Sequence, residues 1–200
     1  MQDIATLRMK YEWEKEMLKT YEREKLLNVI IYFANTTAMC GKTKLCKLLY
    51  LLDFEHYKQT GRSVTGLDYY AWEKGPVPVK LYDELSSPED DLLQSVELKE
   101  ERVINYKRMN IVAKGQFDES YFSKRELRLL ESLAAENAGK NSDQMVQITH
   151  APNTPWTRVY SDGMGYNERI PYELAIEGEH AADLIQKAKE YDAIKLHYAS

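Results

Sequence analysis

The chain has 200 residues, a formal net charge of -5 at pH 7 and an apolar fraction of 44 %. This size fits one domain, or a smaller domain with an added segment, and the apolar fraction can supply a core. The acidic balance disfavours broad binding to DNA or RNA, which depends on neutralising phosphates. No apolar run approaches the roughly 20 residues of a membrane span, and the charged first residues lack the apolar stretch of a signal peptide. With only two cysteines, Cys40 and Cys46, the sequence predicts a cytoplasmic protein without membrane contacts or a disulfide framework.

The first 24 residues are predicted to form a helical arm. The segment contains neither proline nor glycine, and its charges alternate in sign as on a solvated helix. Aromatic and methionine side chains recur along it, at Tyr11, Trp13, Met17 and Tyr21. Two interpretations stay open: the helix packs lightly on its own domain, or its large side chains lie in a groove on another protein.

An apolar helix hairpin is predicted to follow. From residue 25 the chain becomes dense in apolar residues up to a stop signal at Gly41. Thr43 is the predicted cap of the next helix, which ends at Gly61. That helix has leucines at the spacing of one buried face, namely Leu45, Leu48, Leu49 and Leu52. A short glycine turn between two apolar helices favours antiparallel packing.

The second helix also has a local excess of positive charge. The basic residues are Lys42, Lys44, Lys47, Lys58 and Arg62. This cluster is interpreted as an ordinary solvated helix face, because Asp53 and Glu55 are interspersed; contact with an acidic partner or a phosphate is the alternative.

A strand and a proline-rich turn come next. Residues 64–72 are rich in β-branched and aromatic side chains, which predicts a strand with Gly66 as a bulge. Pro76 and Pro78 exclude a continued central strand, and Pro78 suits the first turn of a new helix. Residues 86–91 are predicted to form a loop. Two further short strands are predicted at residues 102–106 and 109–113.

The last third is predicted to be helical. Ser123 and Glu126 fit a capping box that opens a helix ending at Gly139. A short helix over residues 141–149, a proline-punctuated loop to Trp156 and a final helix over residues 179–193 complete the chain. The predicted fold class is therefore α+β: a mainly helical single domain with a small antiparallel sheet and an N-terminal helical arm.

Catalytic and metal-binding motifs are weak. Gly41, Lys42 and Thr43 resemble the end of a phosphate-binding loop, but Thr36 stands where its first glycine is needed and a helix precedes it. Four scattered histidines show no zinc spacing, so no metal or other cofactor is expected. His150, in a loop beside Trp156, is the best candidate for a general base. The preferred interpretation is that its ring bonds the loop backbone and orders the loop.

Three segments, within residues 25–160, resemble the SocA-like Panacea-domain antitoxin family. The sequence KLLYLLDFEHYKQTGR resembles the family's helix K-L-x-Y-x-x-D followed by Gly-Arg. The sequence TGLDYYAWEKGPVP resembles its T-G-x-x-x-x-A-x-x-x-G-P-V-P signature, and HAPNTPW resembles its later loop. The matching structural signature comprises Gly61, Gly66, Gly75, Pro76, Pro78, His150, Pro155 and Trp156.

The resemblance implies the antitoxin half of a bacterial or prophage toxin–antitoxin pair. Family members neutralise a toxin encoded by a neighbouring gene through direct binding; their toxins include alarmone-synthetase-like enzymes that modify tRNA and stop translation. The founding antitoxin also delivers its toxin to a protease, which makes a host protease a second partner to consider. The resemblance assigns no catalytic residue. It implies a Panacea domain over residues 25–200, with residues 1–24 as an extension that helps choose the toxin.

The predicted partner-binding residues lie in two segments. They are Tyr11, Trp13, Met17 and Tyr21 on the arm, with Tyr70, Trp72 and Lys74 on the strand and turn. The second group either holds the scaffold or adds contact surface, and scaffold is preferred because these residues are expected to be buried. A transcriptional regulator with a winged-helix-like unit is the alternative from another class, although the acidity of the chain disfavours it.

Overall fold

The computed structural model describes residues 4–103, 106–178 and 181–199. The helices are α1 (Ile4–Thr36), α2 (Lys42–Thr60), α3 (Val79–Glu84), α4 (Asp90–Ser95), α5 (Lys124–Asn137), α6 (Ser142–Thr149), α7 (Pro155–Tyr160) and α8 (Ala181–Ala199). The strands are β1 (Tyr70–Trp72), β2 (Gly75–Val77), β3 (Val96–Val103) and β4 (Tyr106–Ala113). They form two separate antiparallel pairs, β1 with β2 and β3 with β4. The predicted class, mainly helical α+β with little sheet, is confirmed.

The arm and the first core helix form one continuous helix, α1. Its 33 residues run through the predicted boundary at residue 25 without a break. Exposure changes along it: Met17 is 52 % exposed, whereas Ile30 is fully buried. The amino-terminal part of α1 is thus an extension of a core helix. In the part of the chain that the structure describes, no helix is both long and apolar enough to cross a membrane.

The turn between α1 and α2 depends on a close backbone approach. Gly41 is the N-cap residue of α2, and no side chain caps this end. The predicted cap, Thr43, is therefore wrong. A Cβ atom at Gly41 would lie 2.8 Å from the carbonyl oxygen of Met109, so a side chain there would collide with β4. The need for contact with β4 selects glycine at a position where sequence statistics favour a polar cap.

Helix α2 lies at the centre of the fold. It packs against α1, α5, α6, β2 and the short turn Tyr172–Ala175. Its leucines at 45, 48, 49 and 52 are all fully buried, as predicted. The helix ends at Gly61, whose φ of 71° is left-handed and whose N–H donates to the carbonyl oxygen of Tyr57. Beyond that end, α8 packs Ala188 against Tyr57 and Ile176, which confirms the final apolar helix.

The strands differ from their predicted positions. Residues 64–69 are not in a strand, so Gly66, with a φ of 70°, is not a bulge. Instead β1 pairs with β2 across a two-residue turn, and Pro76 is tolerated because this sheet has only two strands. Strand β3 begins at Val96, six residues before the predicted start, and α4 occupies part of the predicted loop. The glutamates of β3 interrupt the alternation of apolar and polar side chains, so the sequence pattern did not indicate where this strand begins.

The helix caps in the last third follow the sequence. Ser123 and Glu126 form the predicted capping box, and Asn141 and Gln144 form another at the start of α6. The predicted loop before Trp156 ends earlier than expected, because Thr154 caps α7 and Pro155 occupies its first turn.

Two lysines of α2 are buried, which overturns the prediction of a solvated basic face. Lys44 and Lys47 are 0 % and 1 % exposed. The ammonium group of Lys44 donates to the carbonyl oxygens of Ala38, at 2.8 Å, and Ala138, at 3.1 Å. It thereby joins the α1–α2 turn to the carboxyl end of α5, where a cation is favourable.

We expect Lys44→Met to lower the free energy of unfolding by about 2 kcal/mol, because the carbonyl oxygens lose a charged donor inside the protein. Urea denaturation followed by circular dichroism measures the change. Lys58→Met is the matched control, since Lys58 is exposed on the same helix. An equal effect of the two substitutions would contradict this role of Lys44.

Candidate functional site

The β1–β2 hairpin covers a buried lysine. The Nζ atom of Lys47 donates to the carbonyl oxygen of Pro76 at 2.8 Å. A Cβ atom at Gly75 would lie 2.8 Å from both this Nζ atom and the Oγ1 atom of Thr149, and Gly75 has a φ of 94°. Only glycine fits there. Burial lowers the pKa of the Lys47 ammonium to about 8, although the neighbouring Cys46 acts in the opposite direction.

Three stacked rings support the other side of the hairpin. His150 stacks on Trp156 with 3.8 Å between ring centroids, and Trp156 stacks on Tyr160 at 4.6 Å. The indole N–H of Trp156 donates to the carbonyl oxygen of Trp72 at 3.0 Å. Among the described residues, the buried Nε2 atom of His150 has no hydrogen-bond partner. Burial, with a smaller contribution from Lys47, lowers the pKa of His150. Ring stacking thus orders this region. The prediction was a bond from the His150 ring to the loop backbone, and Nε2 does not make it among the described residues.

A buried carboxylate organises the segment that leads into the hairpin. Asp53 of α2 is 0 % exposed. It accepts hydrogen bonds from the backbone N–H groups of Val64, at 2.7 Å, and Thr65, at 2.8 Å. The hydroxyl groups of Thr65 and Tyr69 also donate to it. Burial raises the pKa of Asp53, and the four donors oppose that effect.

An aromatic pocket of about 230 Å³ lies between the hairpin and the first turn of α2. Trp72 is half-buried in its wall; its indole N–H donates to the Oδ1 atom of Asn167 at 2.9 Å. Its ring meets that of Tyr82 edge to face at 5.2 Å. Lys74, in the hairpin turn, is exposed and also lines the pocket, while Tyr70 is half-buried.

The described part of the arm carries an exposed apolar face. Met17 is 52 % exposed and Tyr21 45 % exposed. The hydroxyl group of Tyr21 donates to the carbonyl oxygen of Tyr121 at 2.8 Å, and their rings are 5.5 Å apart. Met17, Tyr21 and Tyr121 line a second, open pocket of about 290 Å³. The side chains of Tyr11 and Trp13 lie outside the described residues.

Charged groups fix α1 to the domain just after this face. The guanidinium group of Arg23 donates to Glu84, at 3.0 Å, and to Asp91, at 2.7 Å. Glu84, Glu89 and Asp91 form a cluster of three carboxylates whose oxygens lie within 4.8 Å of one another. Arg23 forms ion pairs with two of the three carboxylates, those of Glu84 and Asp91, and these ion pairs orient α1.

The predicted site residues fall into separate groups. Gly75, Pro76, His150 and Trp156 meet around Lys47 and the hairpin. Gly61, Gly66 and Pro78 lie elsewhere, at the end of α2, in the following loop and at the start of α3. Met17 and Tyr21 line the pocket on the arm, whereas Trp72 and Lys74 line the pocket beside the hairpin.

Three charged residues of α2 are buried although the sequence pattern did not predict it: Lys44, Lys47 and Asp53. The sequence carries only a partial signal, because each lies in or beside the run of leucines and aromatic residues of α2. The distant acceptors of the two lysines, at Pro76 and Ala138, leave no local pattern. A charged residue inside such a run is expected to be buried and hydrogen-bonded when the helix is central.

Comparison with protein families gives one match. The family described as antitoxin SocA-like, Panacea domain, matches residues 45–157, which include α2 from its first turn, both hairpins and Trp156. The search of curated proteins found no match, and neither did the search of solved structures.

Proposed function

The chain belongs to the SocA-like Panacea-domain antitoxin family, and we propose that it neutralises a protein toxin in the cytoplasm by binding it directly, without catalysis. In this proposal the domain is a rigid scaffold, and the buried polar groups of three residues support that role. Lys47, Asp53 and Trp156 each bond a backbone group of the segment from residue 64 to residue 76. A rigid scaffold lowers the entropy lost when a partner binds.

The observation that carries this proposal is the exposed apolar face of α1. Met17, Leu18 and Tyr21 are 52 %, 37 % and 45 % exposed, and their spacing places them on neighbouring faces of the helix. Large apolar side chains grouped in this way are typical of a protein-binding surface. Tyr11 and Trp13 precede them on the same helix, and we assign them to the same contact surface. In this arrangement residues 1–24 are the partner-binding extension of the domain.

The charge of the β3–β4 hairpin gives little support to a nucleic-acid partner. The β3–β4 hairpin is the element that would act as the wing of a winged-helix regulator. It carries three acidic residues, Glu97, Glu100 and Glu101, among four basic ones, Lys99, Arg102, Lys107 and Arg108, so its net charge is only +1. Binding to phosphates requires a surface in which positive charge prevails. The proposed toxin is of the alarmone-synthetase-like, translation-inhibiting type found with this family, and delivery of the toxin to a protease is a second route to neutralisation.

Co-expression tests the proposal. The product of the adjacent gene should stop growth when it is induced alone, and this chain should restore growth when it is expressed with it. Co-purification of the two proteins, followed by size-exclusion chromatography, should yield a stable complex. Rescue in a host without its ATP-dependent proteases separates direct inhibition from delivery to a protease. Growth arrest that persists despite co-expression would contradict the antitoxin assignment.

The arm is expected to be necessary for this rescue. Deleting residues 1–14 removes Tyr11 and Trp13 but keeps the Arg23 ion pairs with Glu84 and Asp91, so the domain should stay folded. We expect neutralisation to be lost and affinity for the toxin to fall at least about 100-fold, as for removal of interface hot spots. Growth assays and isothermal titration calorimetry measure these effects.

The double variant Met17→Ser/Tyr21→Ser tests the same surface without shortening the chain. Leu93→Ser, on α4, is its control, because Leu93 is 40 % exposed. A truncated chain that still rescues growth would contradict the role of the arm and leave the antitoxin assignment standing.

A further inference from the structure

A loop with two exposed apolar side chains borders the aromatic pocket beside the hairpin. Met164 and Tyr166 are 83 % and 58 % exposed. Burying such side chains against a partner is favourable, and methionine and tyrosine are enriched at protein interfaces. Tyr166 also lines the pocket itself, so the loop and the pocket form one continuous surface.

The loop of residues 161–167 is held in an uncommon conformation. Ser161, Asp162 and Asn167 have φ values of 41°, 55° and 62°, which residues other than glycine rarely adopt. Backbone contacts fix its ends: Asn167 donates to the carbonyl oxygen of Ala71 at 2.7 Å, and Gly165 donates to that of Tyr160 at 3.1 Å. Unfavourable conformations of this kind persist where the surrounding structure enforces them, often at functional sites. Met164 and Tyr166 are therefore presented by a fixed loop.

The pocket beside this loop has a basic lining. Lys47 and Lys74 line it together with Glu73, and the Nζ atom of Lys42 lies 3.7 Å from the centroid of the Tyr82 ring in its wall. Positive charge gathered around an aromatic pocket, on a chain whose net charge is -5, favours an acidic group of a partner.

Lys47 lines this pocket and has unused hydrogen-bonding capacity. A protonated lysine offers three N–H donors. The hydrogen bonds among the described residues give its ammonium group one acceptor, the carbonyl oxygen of Pro76, although the side chain is 1 % exposed. A carboxylate that entered the pocket would supply the missing acceptor and balance the buried charge.

We propose that the pocket and the loop of residues 161–167 form a second docking surface for the toxin, and that the pocket takes an aspartate or glutamate side chain of that protein. This proposal rests on the proposed antitoxin function. The carboxylate lies between Lys74 and the ammonium group of Lys47, Trp72 and Tyr82 pack against its aliphatic part, and Met164 and Tyr166 cover the surrounding chain.

Charge reversal tests the docking surface against the adjacent gene product. Lys74→Glu is expected to lower the affinity roughly tenfold or more, because it places a second acid beside Glu73 in the pocket. Lys80→Glu is the matched control: Lys80 is also exposed, on the neighbouring α3, but it does not line the pocket. The affinity of the Lys80→Glu variant for the adjacent gene product should stay within about twofold of that of the unmodified chain. The affinities of both proteins should fall as the salt concentration is raised. Met164→Ser should weaken binding, whereas Leu93→Ser should not.

A peptide titration tests the pocket without the toxin. Acetyl-Leu-Glu-Glu-amide should shift the indole N–H signal of Trp72 in ¹⁵N NMR spectra in a saturable manner, and acetyl-Leu-Gln-Gln-amide should not. Lys74→Glu should abolish the shift and Lys80→Glu should retain it. Equal responses to the two peptides, or none, would overturn the carboxylate assignment.

The two experiments separate the two proposals. Equal binding of the adjacent gene product to the unmodified chain and to Lys74→Glu would overturn the second surface and leave the antitoxin function intact. If that product binds neither the unmodified chain nor any variant, the antitoxin function is contradicted, and the peptide titration alone decides the pocket.

Discussion

Replacing Asp53 with alanine is expected to lower the free energy of unfolding by about 3 to 5 kcal/mol, the range for breaking a buried charged network. The substitution leaves four donors without their acceptor inside the protein: two N–H groups, from Val64 and Thr65, and two hydroxyl groups, from Thr65 and Tyr69. Each donor gave up its hydrogen bonds to water when it folded against the carboxylate. Removing the carboxylate therefore costs more free energy than the hydrogen bond contributed to stability. Urea denaturation monitored by fluorescence and circular dichroism measures the change.

Asp53→Asn keeps the experiment informative if the alanine variant fails to fold. Its amide retains one accepting oxygen, so an intermediate loss of roughly 1.5 to 3 kcal/mol is expected. Glu55→Ala is the control on the same helix. Its side chain bonds Gln59 in an exposed position, and its removal should change stability by no more than about 0.5 kcal/mol. An alanine variant at position 53 that loses less than about 1 kcal/mol would show that the carboxylate does not hold this segment.

Local signals in the sequence predicted most of the helices. The capping box at Ser123 and Glu126 depends on atoms three residues apart, and Gly61 terminates α2 through a conformation set by its own lack of a side chain. The buried leucine face of α2 follows from helical spacing alone. Such features are determined within a few residues, so the sequence is sufficient to find them.

The buried lysines could not be predicted in the same way. Lys47 bonds a carbonyl group 29 residues away, and one acceptor of Lys44 lies 94 residues away. Rules based on local pattern place lysine on the surface, because burying its charge without acceptors is costly. The acceptors appear only when the β1–β2 hairpin and the end of α5 pack on α2. The wrong prediction for Thr43 has a similar origin, since the contact that selects Gly41 comes from β4.

The candidate binding surfaces were partly visible in the sequence. The large side chains of the arm were recognised from their spacing, and those of Met17 and Tyr21 are exposed in the structure; that they bind a partner remains a prediction. The pocket beside Trp72 was not foreseen as a cavity. Its wall depends on the loop around Asn167, 95 residues further along the chain, whose amide group holds the indole. The periodic spacing of apolar residues in a sequence cannot indicate a contact between residues so far apart in the chain.

The buried amine of Lys47 is expected to make stability depend on pH in the alkaline range. Its pKa is about 8 in the folded protein, against an ordinary value of 10.5. Between these two values the unfolded chain binds a proton at Lys47 that the folded chain does not bind. Stability therefore rises with pH across this window, by roughly 2 to 3 kcal/mol between pH 7 and pH 10, and the dependence is lost below pH 8 as the folded protein also becomes protonated.

Lys47→Met isolates this effect. Other groups titrate in both proteins, so the difference in unfolding free energy between the unmodified chain and the variant reports on Lys47. The hydrogen bond lost to the carbonyl oxygen of Pro76 adds an offset that varies little with pH. Urea denaturation at half-unit intervals from pH 7 to pH 10.5 should show the difference shift in favour of the unmodified chain as pH rises. A constant difference would mean that the amine keeps its ordinary pKa, and the charge beneath the hairpin would then be stabilised by groups other than the Pro76 carbonyl.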